Sequence, residues 1–308
     1  MSAVTYATAQ FLRVLPRARI GQALGRLADH RWSESVGRAV VGVYSRVYDV
    51  QFDDCVERGG WDSFDAFFTR RLRDGARAVD PDPFVIASPA DGRVDSMGPI
   101  DTGGTFLVKG RPYSVAELVG DEKEAHRFLG GSGCVVYLSP RDYHRVHAPV
   151  SGVIRRIRSM PGDYFPVNAI GVRHVANLFC RNRRVAIEID TDDAGSSADG
   201  HVSTNGNGRG HGPDHHAASH EGIGRVTVVM VVAMIVGRIT TVGVDARDVP
   251  LGDHVFDPPL RIERGAEIGV FHLGSTAVVL TEKRAGGRWV AGEGPVRYGQ
   301  ALLRGGRA

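Results

Sequence analysis

Val226-Thr227-Val228-Val229-Met230-Val231-Val232-Ala233-Met234-Ile235-Val236 is the longest apolar run in the chain, interrupted only by Thr227. Crossing a bilayer as a helix takes roughly 20 apolar residues, so the run is too short to span one. Its valine content and the Gly237 that follows predict one or two buried strands. Runs of the same kind lie on both sides: Val85-Ile86, Phe106-Leu107-Val108, Cys134-Val135-Val136-Tyr137-Leu138, Val153-Ile154, Val185-Ala186-Ile187-Glu188-Ile189 and Ala277-Val278-Val279-Leu280. Each is bounded by Gly, Pro or Asp, and together they predict a β-rich body over residues 81–308. Ala285-Gly286-Gly287, between the last run and Trp289-Val290, reads as a hairpin turn.

Residues 1–80 follow a different period. Phe11, Leu12 and Leu15, then Ile20, Leu24 and Leu27, then Val36, Val40, Val43 and Val47 recur at helical spacing, and Asp62 to Leu72 reads as one more short helix. Asp80-Pro81-Asp82-Pro83 ends the region. The predicted class is α+β, a helical layer followed by a β body. Arginines at 13, 17, 19, 26, 31, 38 and 46 face only Asp29, Glu34 and Asp49. Such a stretch can lie on an anionic membrane surface, or pack on the body with its arginine face solvated. No apolar core of the secretory kind precedes these arginines, and the chain reads as soluble or peripheral.

The chain has 308 residues, enough for a substantial core. Its 40 glycines are about twice the ordinary share and agree with many turns between strands. A net charge of +3 argues against a protein built to neutralise nucleic-acid phosphate. Lys109, Lys123 and Lys283 are the only lysines, so lysine-based Schiff-base chemistry has few places to occur. Cys55, Cys134 and Cys180 are far apart and read as reduced structural thiols. Residues 192–222 are dominated by Gly, Ser, Asp, Asn and His, too polar to offset the entropy of ordering, and read as a disordered insertion. Its histidines (201, 211, 215, 216 and 220) could also bind metal, but no carboxylate or cysteine stands at ligand spacing.

Three segments set reactive residues among turn formers. Ala87-Ser88-Pro89-Ala90-Asp91-Gly92 reads by itself as a turn. Tyr137-Leu138-Ser139-Pro140-Arg141-Asp142-Tyr143-His144-Arg145-Val146-His147 holds two histidines three apart, which share a face if the segment is a helical turn. Flanking prolines suggest instead a shaped loop at a strand end. Phe271-His272-Leu273-Gly274-Ser275-Thr276 places a serine where a base could make it a nucleophile, without the Gly-x-Ser-x-Gly elbow of hydrolases.

Taken together, and with Phe68-Thr69-Arg70-Arg71-Leu72, Lys109-Gly110, Pro161-Gly162-Asp163 and Asn177-Leu178-Phe179-Cys180-Arg181-Asn182, these segments resemble the phosphatidylserine decarboxylases, pyruvoyl enzymes made as self-cleaving proenzymes. The resemblance runs from about Phe67 to Val279 and implies a barrel-like or sandwich-like body. It implies an Asp91–His147–Ser275 triad, in which Asp91 orients His147 and His147 takes the proton of Ser275 as it attacks the Gly274 carbonyl. Glycine at 274 is expected to let the backbone strain and approach closely. The precursor would become a 1–274 chain and a 275–308 chain, with the pyruvoyl cofactor made from Ser275 and no metal. The lipid amine would form a Schiff base with that pyruvoyl group, and His144 would assist decarboxylation and reprotonation. Implied partners are phosphatidylserine and an anionic membrane surface, on the cytoplasmic face of the cell membrane, with a homodimer as one assembly. One departure stands out: where the family has Val-Gly-Ala ahead of Val-Gly-x-Ile, this chain has Val231-Val232-Ala233 ahead of Val236-Gly237-Arg238-Ile239. The competing readings are a metal-dependent hydrolase using His144, His147 and Asp91, and a non-catalytic β-rich binding module.

Overall fold

The computed structural model describes residues 25–167, 169–192, 223–233 and 238–305. The insertion from 193 to 222, the basic segments before residue 25 and the 234–237 end of the long apolar run lie outside the described residues.

Among the described residues the N-terminal region holds a helical turn at 25–28, one long helix, α1 (Glu34–Tyr48), and one short one, α2 (Phe64–Phe68), while the chain from 69 to 84 is not helical. Ser63 starts α2 by accepting a hydrogen bond from the Ala66 N–H at 3.1 Å. Gly37 and Val41 of α1 turn inward, whereas Val36, Val40, Val43 and Val47 are 49%, 38%, 62% and 69% exposed. The valine stripe that gives the helix its period is therefore a face left uncovered among the described residues. On the inner side Trp61, Phe67 and Phe68 join Val41 and Val50 in an aromatic cluster, and one residue of the distant body, Leu273, completes it.

The body begins with β1 (Val85–Ala87), β2 (Gly92–Pro99), β3 (Thr105–Val108) and β4 (Arg111–Ser114). The short helices α3 (Val115–Val119) and α4 (Glu122–His126) lead to β5 (Ser132–Leu138), β6 (Arg145–His147) and β7 (Gly152–Met160). Two more, α5 (Ala169–His174) and α6 (Leu178–Arg181), precede β8 (Arg184–Asp190), β9 (Arg225–Val232) and β10 (Arg238–Thr241). Then come β11 (Gly252–Ile262), β12 (Glu267–His272), β13 (Ser275–Thr281), β14 (Arg288–Trp289), β15 (Gly294–Val296) and β16 (Ala301–Arg304).

Eight strands form one antiparallel sheet in the order β11-β7-β8-β9-β13-β5-β2-β15. Smaller sheets are β10-β12-β6, β1-β16-β14 and the pair β3-β4. The class is α+β, as the sequence predicts. Among the described residues the sheets stay open, with β11 and β15 at the edges of the largest, so there is no closed barrel. Every residue of β9 and β13 is buried, which is why these strands read as unbroken apolar runs rather than alternating ones.

The predicted hairpin at Ala285-Gly286-Gly287 does not form. β13 is already paired on both sides, with β5 and β9, and β14 pairs with β16 instead. A short turn of 3-10 helix, Lys283–Ala285, followed by two glycines at φ 44° and 112°, steers the chain out of the large sheet. Among the described residues no helix is long and apolar enough to cross a membrane.

Candidate active site

The third segment spans a joint between two sheets. β12 belongs to the β10-β12-β6 sheet and ends at His272; β13 starts at Ser275 in the centre of the large sheet. Leu273 and Gly274 bridge the two. Ser275 is 1% exposed, its backbone set between Leu138 of β5 and Val232 of β9, and its Oγ has no hydrogen-bond partner among the described residues.

Both flanks of the joint are fixed. His272 Nδ1 is 2.8 Å from Asp65 Oδ1 on α2, and its Nε2 is 3.2 Å from Thr240 Oγ1. Arg238 also donates to Asp65, at 2.8 Å, and to Asp29 at 2.7 Å, so an ionic cluster ties the helical layer to β10 and β12. Leu273 carries the strain. Its φ is 86°, in the left-handed region that a leucine rarely enters. A Cβ added at Gly274 would meet nothing within 4 Å. The close approach expected to require glycine at 274 is thus absent, and the unusual backbone lies one residue earlier.

The two histidines do not sit on a helical turn. His147 lies in β6 and His144 in the bend before it, so they face different partners. His144 is fully buried, with its ring centroid 3.9 Å from that of Phe68. Its Nδ1–H donates to the Asp142 carbonyl at 2.8 Å, and Nε2 has no partner among the described residues. Burial, helped by the nearby charge of Arg70, pushes its pKa down to about 3, so the ring is neutral with a free Nε2 lone pair. The Phe271 N–H donates to the His144 carbonyl at 3.0 Å, which ties this bend to β12 just before the joint. Arg70 supports the same bend by donating to the Arg141 and Asp142 carbonyls at 2.9 and 3.2 Å.

His147 donates Nδ1–H to the Gly265 carbonyl at 2.7 Å and accepts at Nε2 from the Tyr143 hydroxyl at 3.2 Å. Its ring stacks on Tyr298 with centroids 3.8 Å apart and planes 4° from parallel. Burial lowers its pKa, while the Gly265 bond and the charges of Glu267 and Asp91 oppose that shift.

The Asp91 carboxylate accepts from Arg77 Nη2 at 2.6 Å and from the Tyr298 N–H at 2.9 Å. Its link to His147 therefore runs through Tyr298, which gives its N–H to one and its ring face to the other. Asp91, Tyr143, Arg70, Arg77 and Arg141 line a cavity of about 620 Å³. Sequence reasoning missed Arg77 and Tyr298. Tyr298 lies far along the chain with no motif around it, whereas Tyr143 stood inside a quoted segment and could have been singled out. Among the described residues no three His, Cys, Asp or Glu side chains converge as metal ligands. Cys55, Cys134 and Cys180 are all free thiols.

Fold and site together define a class: an α+β chain in which Ser275, His144 and His147 are all buried. The profile described as phosphatidylserine decarboxylase matches residues 64–206 and 215–304. A phosphatidylserine decarboxylase proenzyme of Azotobacter vinelandii is 36% identical over 304 residues, covering 94% of each chain. Proenzymes of the same name are similar in Pseudomonas fluorescens (36% identical, 94% of each chain) and in Acinetobacter baumannii strain SDF (35% identical, 88% of this chain and 85% of that one). The chain belongs to the phosphatidylserine decarboxylase family. Neither the hydrolase nor the binding-module reading has support in these relatives.

Proposed function

We propose that the chain removes carbon dioxide from phosphatidylserine to leave phosphatidylethanolamine, after cutting itself between Gly274 and Ser275. The observation that carries the self-cutting is the Ser275 hydroxyl, enclosed and without a partner among the described residues at the start of a central strand. A buried hydroxyl without a partner is costly, and the electrophile nearest to it along the chain is its own preceding carbonyl. Oγ adds to the Gly274 carbonyl carbon as a histidine takes its proton. The C–N bond then breaks with the proton returned to nitrogen, and the product is an ester. Loss of the Ser275 Cα proton expels the Gly274 carboxylate and leaves dehydroalanine, which exchanges its nitrogen for water oxygen and releases ammonia.

His147 is the base in this reading. Nδ1–H is held by Gly265, which leaves on Nε2 the lone pair that accepts from Tyr143, and burial favours the neutral ring. Asp91 acts as a positioning residue through Tyr298 and through its charge. The resulting pyruvoyl group supplies an electron-accepting carbonyl for the decarboxylation. The residues present fit it: Ser275 Oγ is the buried atom its formation uses, and His144 Nε2 stays free to take up a proton and return it to the carbon that has lost carbon dioxide.

The uncovered valine stripe of α1, beside exposed Arg38 and Arg46, supports attachment to an anionic membrane surface. We place the protein as a peripheral one on the cytoplasmic face of the cell membrane. On this reading residues 1–80 are the membrane-associating region and 81–308 the catalytic one. Intact-mass measurement of the purified protein tests the reading. The expected result is two chains, 1–274 and 275–308, the second lighter by one ammonia than the plain serine-initiated peptide. A single whole chain, or a fragment beginning with ordinary serine, overturns it.

A further inference from the structure

We infer that the helical layer drives the self-cut by holding Leu273 in a strained turn, and that Leu273 is a positioning residue for cleavage. The inference rests on the self-cutting reading above and adds to it a source of activation outside the acid–base residues.

The turn is gripped from both ends. On its N-terminal side His272 is bound by Asp65 of α2. Leu273 itself is 7% exposed and belongs to the aromatic cluster with Phe67, Phe68 and Trp61, not to the core of the sheets that carry its neighbours. On the C-terminal side Ser275 is fixed in register between β5 and β9. Only Leu273 and Gly274 are left to absorb the mismatch, and it falls on Leu273 as φ 86°. Such a conformation persists only where its surroundings over-determine it. Here the surroundings are an apolar anchor in one layer and a sheet register in the other. Cutting after Gly274 frees the turn, so any strain stored there lowers the barrier to the step that releases it.

The test uses cell-free synthesis of the full chain, with conversion followed on gels, and thermal unfolding of each variant on an uncut Ser275→Ala background. Leu273→Met keeps both the anchor and the Cβ, and should convert at close to the wild-type rate. Leu273→Ala and Leu273→Gly lose the anchor and should convert about tenfold more slowly, a change of about 1.4 kcal/mol in barrier. The stability order separates strain from simple packing. A leucine that only fills space predicts glycine to be less stable than alanine, since glycine leaves the larger void and a looser unfolded chain. A strained leucine predicts the reverse, because glycine adopts φ 86° without penalty.

Conversion of folded Leu273→Gly at the wild-type rate overturns the inference, as does alanine being the more stable of the two. A wild-type chain that stays whole would instead overturn the self-cutting reading itself.

Discussion

At the scale of single residues, the two histidines differ in what their Nε2 atoms meet. His147 meets a hydroxyl and His144 meets no polar partner among the described residues, although both rings are fixed by a carbonyl at Nδ1. We expect Ser275→Ala, His147→Ala and Asp91→Asn to leave the precursor whole on a gel. His144→Ala should still cut, yet turn over phosphatidylserine about 10²- to 10⁴-fold more slowly; an uncut His144→Ala chain would undo this division of roles. The same burial predicts a pH effect on stability. His144 titrates near 6.5 when unfolded and at about 3 when folded, so the unfolded chain binds the extra proton between those values. Its contribution is present above pH 6.5 and is lost as pH falls toward 3. On the Ser275→Ala background the melting temperature should therefore drop from pH 6.5 to 5, before most carboxylates titrate, and His144→Gln should flatten that drop.

At the scale of elements, the strands buried on both faces were legible, whereas less apolar strands such as β10, β11 and β12 and the connections were not. Val226 to Val232 and Ala277 to Leu280 announce strands because they are buried on both faces, and solvent leaves no alternation to confuse the pattern. The glycine pair at 286–287 has the composition of a hairpin, but tertiary pairing of β13 on both sides overrode that local signal. The short helices α3 to α6 span four to six residues each, below the length at which a helical period can be read. The site was legible as motifs: Asp91, His144, His147 and Ser275 all stood in segments dense in Gly and Pro. The φ of Leu273 was invisible, because nothing in a leucine codon signals a left-handed backbone; only packing between layers imposes it. The valine face of α1 carries its own prediction. Val43→Asp with Val47→Asp should leave the melting temperature nearly unchanged, since both side chains are already in solvent, and should reduce co-flotation with anionic vesicles several-fold. Undiminished flotation would rule out this face as the membrane contact.

At the scale of the whole molecule, one buried ion cluster braces the large sheet. Arg225 donates to Glu124 and Glu188 at 2.9 and 2.8 Å and to Asp190 at 2.8 Å, and Arg156 reaches Glu188 at 2.7 Å. Arg225→Met leaves three carboxylates short of one counter-charge, and should cost about 3–5 kcal/mol in urea unfolding. A loss below 1 kcal/mol would mean that Arg156 suffices.

The placement of β13 has a further consequence. A cut ahead of Ser275 leaves the most deeply enclosed strand of the sheet on the shorter piece, still paired on both edges. The folded halves would stay together without a covalent bond, but a denatured enzyme would have to find its missing strand by diffusion. Refolding would then depend on concentration and compete with aggregation through the open edges of β5 and β9, whereas uncut Ser275→Ala would refold at a rate independent of dilution. Maturation by such a cut would be a one-way passage, from a chain that can repair its own fold to an enzyme that keeps it only by not letting go.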